Sequence, residues 1–265
     1  MPEPSGWKNP VRARLQAGEA VFGLTITTNS IEAAAHGASL GFDFLWMEME
    51  HSPVSLETLR ATVLAARSSP AMVFARVPVI ELWTAKRVLD QGVSGVIFPF
   101  ASTPELAKTA VSACKYPPLG RRGSGAGLAT ASWPDKKNYY DSADAEVMVI
   151  TVIEEARAVE NIDEIAATPG VDVLFIGTSD LSFSLGLRGR QDEPRLHEAI
   201  AKVVEAGKKH GKFLGRPGAT PELIAKSRAR GFQFFQCTTE LGLMSMGAKQ
   251  LLEGSSGIDA KRPLY

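Results

Sequence analysis

Two carboxylates and an imidazole crowd the end of the apolar run Trp46–Met47–Glu48–Met49–Glu50–His51. Successive residues of an extended chain point to opposite faces, so Glu48 and Glu50 share one face. Three more short apolar runs end in comparable groups: Ala75–Arg76–Val77–Pro78 in a cation, Ile153–Glu154–Glu155 in two acids, and Gly177–Thr178–Ser179–Asp180 in small polar residues and an acid. Several ionisable side chains on one rim are costly to desolvate unless they bind a cation or one another. His51 adds a group whose charge changes near neutral pH.

Each of these residues also has an ordinary reading when taken alone. His51 reads as a loop histidine, and Arg76 as the partner of a rim carboxylate. Glu154 could begin the following helix, where an acid suits the positive end of the dipole. Asp180 could cap the turn Leu181–Ser184. The Gly123–Ser124–Gly125–Ala126–Gly127 stretch reads as a loop, and Trp46, Trp83 and Trp133 as packing residues.

The elements that would position the rim groups recur along the whole chain. Eight short β-branched or aliphatic runs are predicted strands: Val21–Thr27, Phe42–Met49, Ala71–Val77, Gly95–Phe100, Val147–Ile153, Val171–Gly177, Phe213–Arg216 and Phe232–Thr238. Helix candidates lie between them at Ser30–Leu40, Ser55–Ala66, Glu81–Gln91, Pro104–Lys115, Ala156–Ala167, Leu196–His210, Pro221–Arg230 and Leu241–Leu252. Ser55 and Thr103 stand where helix caps belong. Continuous apolar strands imply a parallel sheet covered on both faces. Eight βα units in 265 residues predict an α/β fold, a single-domain (β/α)8 TIM barrel over residues 1–265. A doubly wound open sheet is the runner-up, weakened by the lack of a Gly-x-Gly-x-x-Gly turn after the first strand. In such a barrel, chemistry gathers at the C-terminal ends of the strands, where the charged residues fall.

Composition narrows the partners. The 29 basic and 29 acidic residues cancel, which argues against nucleic acid, whose binders usually carry a basic excess. No apolar stretch approaches the roughly 18 residues of a spanning helix, so a cytoplasmic protein with no membrane contact is expected. Cys114 and Cys237 have neither disulfide nor metal spacing and read as reduced structural residues.

The motifs taken together resemble the HpcH/HpaI aldolase family. They are the run from Trp46 to Pro53, Arg76–Val77–Pro78, Val96–Ile97–Phe98–Pro99, the stretch from Tyr116 to Gly123, Ile153–Glu154, and the stretch from Phe175 to Leu181, in order along most of the chain. The resemblance implies a barrel of the phosphoenolpyruvate/pyruvate type. It implies a class II aldolase that cleaves or forms 4-hydroxy-2-oxo acids through a pyruvate enolate at a divalent metal. Position by position, Glu154 and Asp180 resemble the metal ligands. Arg76 resembles the residue that touches pyruvate and stabilises the enolate, and His51 the general base, acting through a water. Glu48 stands where a carboxylate orients that histidine, a place commonly taken by Asp in relatives. The backbone of Gly177, Thr178 and Ser179 would hold the pyruvate carboxylate.

Hard oxygen ligands suit Mg²⁺ or Mn²⁺, with Co²⁺ a third candidate, and the chain has no His/Cys set for zinc. The implied partners are a small 2-oxo acid, an aldehyde and further copies of the chain, in a homo-oligomer that is a hexamer by resemblance. The surplus of apolar residues in Leu241–Leu252 suits a helix packed on, or exchanged with, a neighbouring subunit; the alternative is packing near Ile31 and Ala35 of the same chain. Three other functions remain open. Oxaloacetate decarboxylation needs the same enolate. A CoA-dependent citryl lyase is disfavoured, because the strand ends offer no obvious basic track for a nucleotide phosphate. A noncatalytic barrel module would pair its rim charges internally.

Overall fold

The computed structural model describes residues 7–133 and 138–253. Helix α1 (Pro10–Gln16) precedes β1 (Val21–Ile26), and α2 (Ile31–Ala38), β2 (Phe44–Glu48), α3 (Leu56–Ala65), β3 (Met72–Arg76), α4 (Leu82–Gln91), β4 (Gly95–Phe98) and α5 (Pro104–Cys114) follow. Short helices α6 (Gly127–Ser132) and α7 (Tyr139–Glu146) lead to β5 (Met148–Ile153), then α8 (Ala156–Glu160), α9 (Ile162–Ala167) and β6 (Val173–Ile176). The chain ends with α10 (Thr178–Ser184), α11 (Pro194–Lys209), β7 (Phe213–Pro217), α12 (Pro221–Ala229), β8 (Phe232–Thr239) and α13 (Glu240–Leu252). The eight strands close in sequence order into a barrel, β8 pairing with β1 and every pair parallel. This is the expected (β/α)8 barrel. No described helix is long and apolar enough to cross a membrane.

Both predicted caps form: Ser55 Oγ accepts from the Thr58 amide at 3.2 Å, and Thr103 Oγ1 from that of Leu106 at 3.2 Å. Four details differ from expectation. The helix predicted over Ala156–Ala167 breaks at Asn161, whose side chain donates instead to the Ser102 carbonyl at 2.9 Å. Gly127 opens α6, so the glycine-rich loop ends one residue sooner than expected. Trp83 is 52% exposed and turns its indole N–H toward Glu81 at the head of α4, so it is no packing residue. Trp133, by contrast, is buried edge-on against Trp7 and Tyr139.

The fourth difference is α1, which closes one end of the barrel. Its Val11 and Leu15 join the interior cluster built from Val21, Phe44, Phe74, Ile97, Met148 and Phe234. Asn9 caps it by accepting from the Val11 amide at 3.0 Å, while its own amide donates to Glu146 Oε2 at 2.7 Å. Arg12 clasps Asp172 with two hydrogen bonds, of 2.7 and 2.9 Å, and Asp172 also accepts from the Val149 amide. A bidentate pair of this kind fixes the helix in register as well as in place. The sequence signal was a seven-residue helix too short to show amphipathic periodicity.

Inside the barrel, large and small residues interlock. Phe44 stacks on Phe234 and Phe74, with ring centroids 4.4 and 5.2 Å away. A Cβ added at Gly23 would stand 2.1 Å from the Phe44 ring, and one at Gly215 would stand 2.7 Å from Phe175. The strand glycines thus make room for the phenylalanines. Gly23→Ala is expected to lower stability by about 1–3 kcal/mol, because the Phe44 ring is held between two others and cannot yield freely. Chemical denaturation of the two proteins measures the difference, and an unchanged midpoint would contradict this packing.

Candidate active site

The rim groups are the top layer of the same interior. Every second residue of β2 reads Phe44, Trp46, Glu48; β3 gives Met72, Phe74, Arg76; and β5 gives Ile150, Val152, then Glu154. Period-two geometry therefore carries each row from packed hydrophobes at the barrel centre to a charge at the mouth. Parallel pairing then sets Glu48 directly beside Arg76, its register partner on β3.

Glu48 is saturated with donors. Its Oε2 accepts from Arg76 Nε at 2.6 Å and from Trp46 Nε1 at 3.2 Å, and its Oε1 from the amides of Glu50 and His51 at 2.9 and 3.0 Å. Arg76 lies over the Trp46 ring, 5.7 Å from its centroid, and its Nη1 meets Glu50 Oε2 at 3.0 Å. The guanidinium is thus clamped by two carboxylates and an aromatic face, a fixed positive charge in a narrow orientation. His51 stands farther out, 64% exposed, with Nε2 at 3.6 Å from Glu50 Oε1. The carboxylate nearest the imidazole is therefore Glu50. Glu48, expected to orient the His51 ring, instead fixes the Arg76 side chain and the His51 backbone; its oxygens have no room for the ring. Burial pushes the Glu50 carboxyl above its usual range, against the pull of Arg76 and His51. The shared face of Glu48 and Glu50 was legible from alternation, whereas the link of Glu50 to His51 needed the turn that follows β2.

Glu154 is only 2% exposed. Its Oε1 accepts from the Phe100 amide at 2.7 Å, and Phe100 adopts φ 51°. A non-glycine residue in that region costs on the order of 1–3 kcal/mol, so the strain goes with aiming an N–H at this carboxylate. A Cβ at Gly177 would come within 2.8 Å of Glu154 Oε2, so glycine leaves that oxygen open. Burial pushes the Glu154 carboxyl up to about 7; the Phe100 amide opposes this, and the negative charges of Glu50 and Asp180 add to it. A cation between Glu154 and Asp180 would relieve that crowding.

Gly177 precedes α10, and Thr178, Ser179 and Asp180 form its first turn. Asp180 is therefore inside the turn and not its cap. All three, with Gly177, Glu154, Arg76, Glu48 and His51, line one cleft of about 880 Å³ at the mouth. Every residue expected at the site is thus brought to it. Among the described residues no three His, Cys, Asp or Glu side chains gather as a metal cage. A two-carboxylate donor set with open positions for water and substrate fits Mg²⁺ or Mn²⁺, hard ions that keep part of their solvent shell.

Comparison with known proteins follows the same outline. The family described as HpcH/HpaI aldolase/citrate lyase matches residues 22–245. A hydroxypyruvate/pyruvate aldolase of Paraburkholderia phytofirmans is 33% identical over 255 residues, covering 94% of this chain and 98% of the relative. A 2-dehydro-3,6-dideoxy-6-sulfogluconate aldolase of Pseudomonas putida is 34% identical over 246 residues, covering 93% and 96%. Among solved structures, an HpcH/HpaI aldolase/citrate lyase family protein from Burkholderia cenocepacia superposes with a TM-score of 0.86 at 32% identity, covering 93% of this chain and 99% of the other.

Proposed function

The chain belongs to the HpcH/HpaI aldolase/citrate lyase family, and from that premise we propose that it is a divalent-metal-dependent carbon–carbon lyase, a class II aldolase that cleaves or forms 4-hydroxy-2-oxo acids through a pyruvate enolate. The observation that carries this reading is the Arg76 guanidinium, clamped by Glu48 and Glu50 in the same cleft as the buried Glu154 and Asp180. Relatives named as pyruvate aldolases and as a 4-hydroxy-2-oxovalerate aldolase support the substrate class.

In the cleavage direction His51, acting through a water, takes the proton of the C4 hydroxyl. The C3–C4 bond breaks, its electron pair moves into the C2–C3 bond, and the aldehyde departs. Negative charge gathers on the C2 oxygen, and the Arg76 guanidinium, held in place by Glu48 and Glu50, would stabilise it without reorienting at the moment of reaction. Protonation at C3 then gives pyruvate. The amides of Thr178 and Ser179 at the start of α10 hold the substrate carboxylate; that of Gly177, expected to join them, already donates to the Ile153 carbonyl at 3.2 Å. Mg²⁺ or Mn²⁺ between Glu154 and Asp180 would supply Lewis acidity toward the keto oxygen of the 2-oxo acid. Glu48 acts as a positioning residue for Arg76, and Glu50 stands between Arg76 and the His51 ring.

Incubating pyruvate with a panel of aldehydes, with Mg²⁺, Mn²⁺ or excess EDTA, tests reaction class and ion together. Ion-dependent aldol products support the proposal, whereas oxaloacetate decarboxylation without any aldol product would move it to the decarboxylase.

The same reading includes assembly as a homo-oligomer, a hexamer by resemblance. Helix α13 exposes Leu241, Met244, Met246 and Leu251, and among its described residues only Glu240 is buried. The Glu240 carboxylate accepts from the Thr27 and Thr28 amides, fixing the start of the helix, and Leu243 packs on the core of the same chain, while Leu241, Met244, Met246 and Leu251 remain exposed. Sedimentation is expected to give an oligomer at micromolar concentration, and truncation beyond Glu240 to dissociate it. A monomer would contradict the shared-helix arrangement.

A further inference from the structure

The two halves of the substrate are served by different sides of the mouth. Arg76 on β3, Glu154 at the end of β5, and Thr178, Ser179 and Asp180 at the start of α10 line the side that takes the 2-oxo acid. His51 follows β2, and the proton it takes belongs to the C4 hydroxyl, so the aldehyde lies toward β2 and its neighbour β1. The inward residues of β1 and β8 form that wall. Gly23 faces the Phe44 ring inside the barrel, which puts Thr25 on the same inner face. Phe234 belongs to the interior cluster, which does the same for Gln236. Gln236 Nε2 donates to Thr25 Oγ1 at 2.7 Å, so the two side chains meet inside the barrel, and both line the cleft.

This pair stands within reach of the catalytic groups. Thr25 is the register partner of Trp46, one strand spacing of about 4.8 Å away. The Trp46 indole donates to Glu48, and the Arg76 guanidinium lies over its ring. The interior of an eight-stranded barrel is only wide enough for side chains to meet across it, as Trp46 does with Phe175 at 5.0 Å between centroids. Two other threonines on this wall are occupied: Thr27 Oγ1 donates to Glu240 Oε1 at 3.2 Å, and Thr239 Oγ1 accepts from the Gly242 amide at 2.9 Å. Among the described residues, the side chains of Thr25 and Gln236 hydrogen-bond only to each other, which leaves the hydroxyl proton, the amide carbonyl and one amide N–H unspent. Apolar residues fill the neighbouring inward places at Val152, Phe175 and Phe234, so packing alone does not call for a polar pair here. Neither residue is charged. Together they present a donor and an acceptor side by side, the two partners a neutral hydroxyl group needs; turning the amide over exchanges the roles and keeps both.

We propose that Thr25 and Gln236 are specificity-determining residues that hydrogen-bond a hydroxyl group on the aldehyde partner, so that the protein selects a hydroxyaldehyde over the alkyl aldehyde of the same size. The proposal rests on the aldolase reading for its reaction and on the unspent pair for its selectivity.

The test compares pyruvate addition to glycolaldehyde and to propanal, which differ by a hydroxyl in place of a methyl group. The quantity read is the kcat/KM for glycolaldehyde divided by that for propanal, and comparing it across variants cancels the different reactivity and hydration of the two aldehydes in water. It is expected to fall about tenfold in Gln236→Leu and in Thr25→Val, each of which removes one partner of the hydroxyl. Thr25→Ser, which keeps the hydroxyl, should retain the wild-type ratio. A ratio unmoved in Gln236→Leu and Thr25→Val, including the case where both aldehydes lose equally, would overturn the proposal, as would a wild type that favours propanal. If Thr25→Val does not fold, Gln236→Leu and Thr25→Ser decide: the ratio must fall in the first and hold in the second, and any other pattern is the overturning result. If pyruvate adds to neither aldehyde, the aldolase reading itself fails and this assignment falls with it. Addition to both with an unmoved ratio rejects the Thr25–Gln236 pair alone.

Discussion

Arg76→Lys is expected to slow every reaction that passes through the pyruvate enolate by about 10²–10³-fold while the protein stays folded. Lysine keeps the charge but cannot meet Glu48 through one nitrogen and Glu50 through another while lying flat on Trp46. The positive charge therefore settles toward the carboxylates and away from the developing oxyanion. Aldol cleavage, oxaloacetate decarboxylation and proton exchange at pyruvate C3 should all fall together. Arg76→Ala is the poorer probe, since it strands two largely buried carboxylates and costs on the order of 3 kcal/mol of stability. His51→Ala separates the roles: it should reduce aldol cleavage by about 10²–10⁴-fold and decarboxylation far less, because only cleavage needs the hydroxyl proton removed. Equal losses in both reactions would show the two roles to be misassigned.

The second large effect is expected at the ion ligands. Glu154→Gln preserves shape and can still accept the Phe100 amide, yet it removes the charge that would hold a cation. Asp180→Asn does the same on the exposed side of the site. Each should take Mg²⁺- or Mn²⁺-supported activity to background. Each should also abolish the ion's stabilisation of the fold, which for the wild type at about 100 times Kd amounts to about 2.7 kcal/mol. Paired thermal melts with and without ion measure this. A variant that keeps the ion-induced shift would mean that the carboxylate is not a ligand.

Much of this was legible in the sequence because the barrel is periodic. Alternation along β2, β3 and β5 places Glu48, Arg76 and Glu154 as the last inward residues of rows that begin in the core, and that pattern needs no coordinates. What alternation cannot give is angle and depth. Glu48 and Glu50 share a face, but the tight turn after β2 lets Glu48 accept two backbone amides and leaves Glu50 nearest the His51 ring. Helix α1 was hidden by its length, and its role depends on Arg12 meeting Asp172 across 160 positions of sequence.

Deuterium incorporation at C3 of pyruvate, followed by proton NMR in D₂O, tests the enolate most directly, since it needs no aldehyde and no knowledge of the natural acceptor. The account predicts that the wild-type protein catalyses loss of the methyl signal with Mg²⁺ or Mn²⁺, that excess EDTA stops it, and that Arg76→Lys lowers it by about 10²–10³-fold. Exchange at full rate in EDTA, or no exchange with the ion bound, would contradict it.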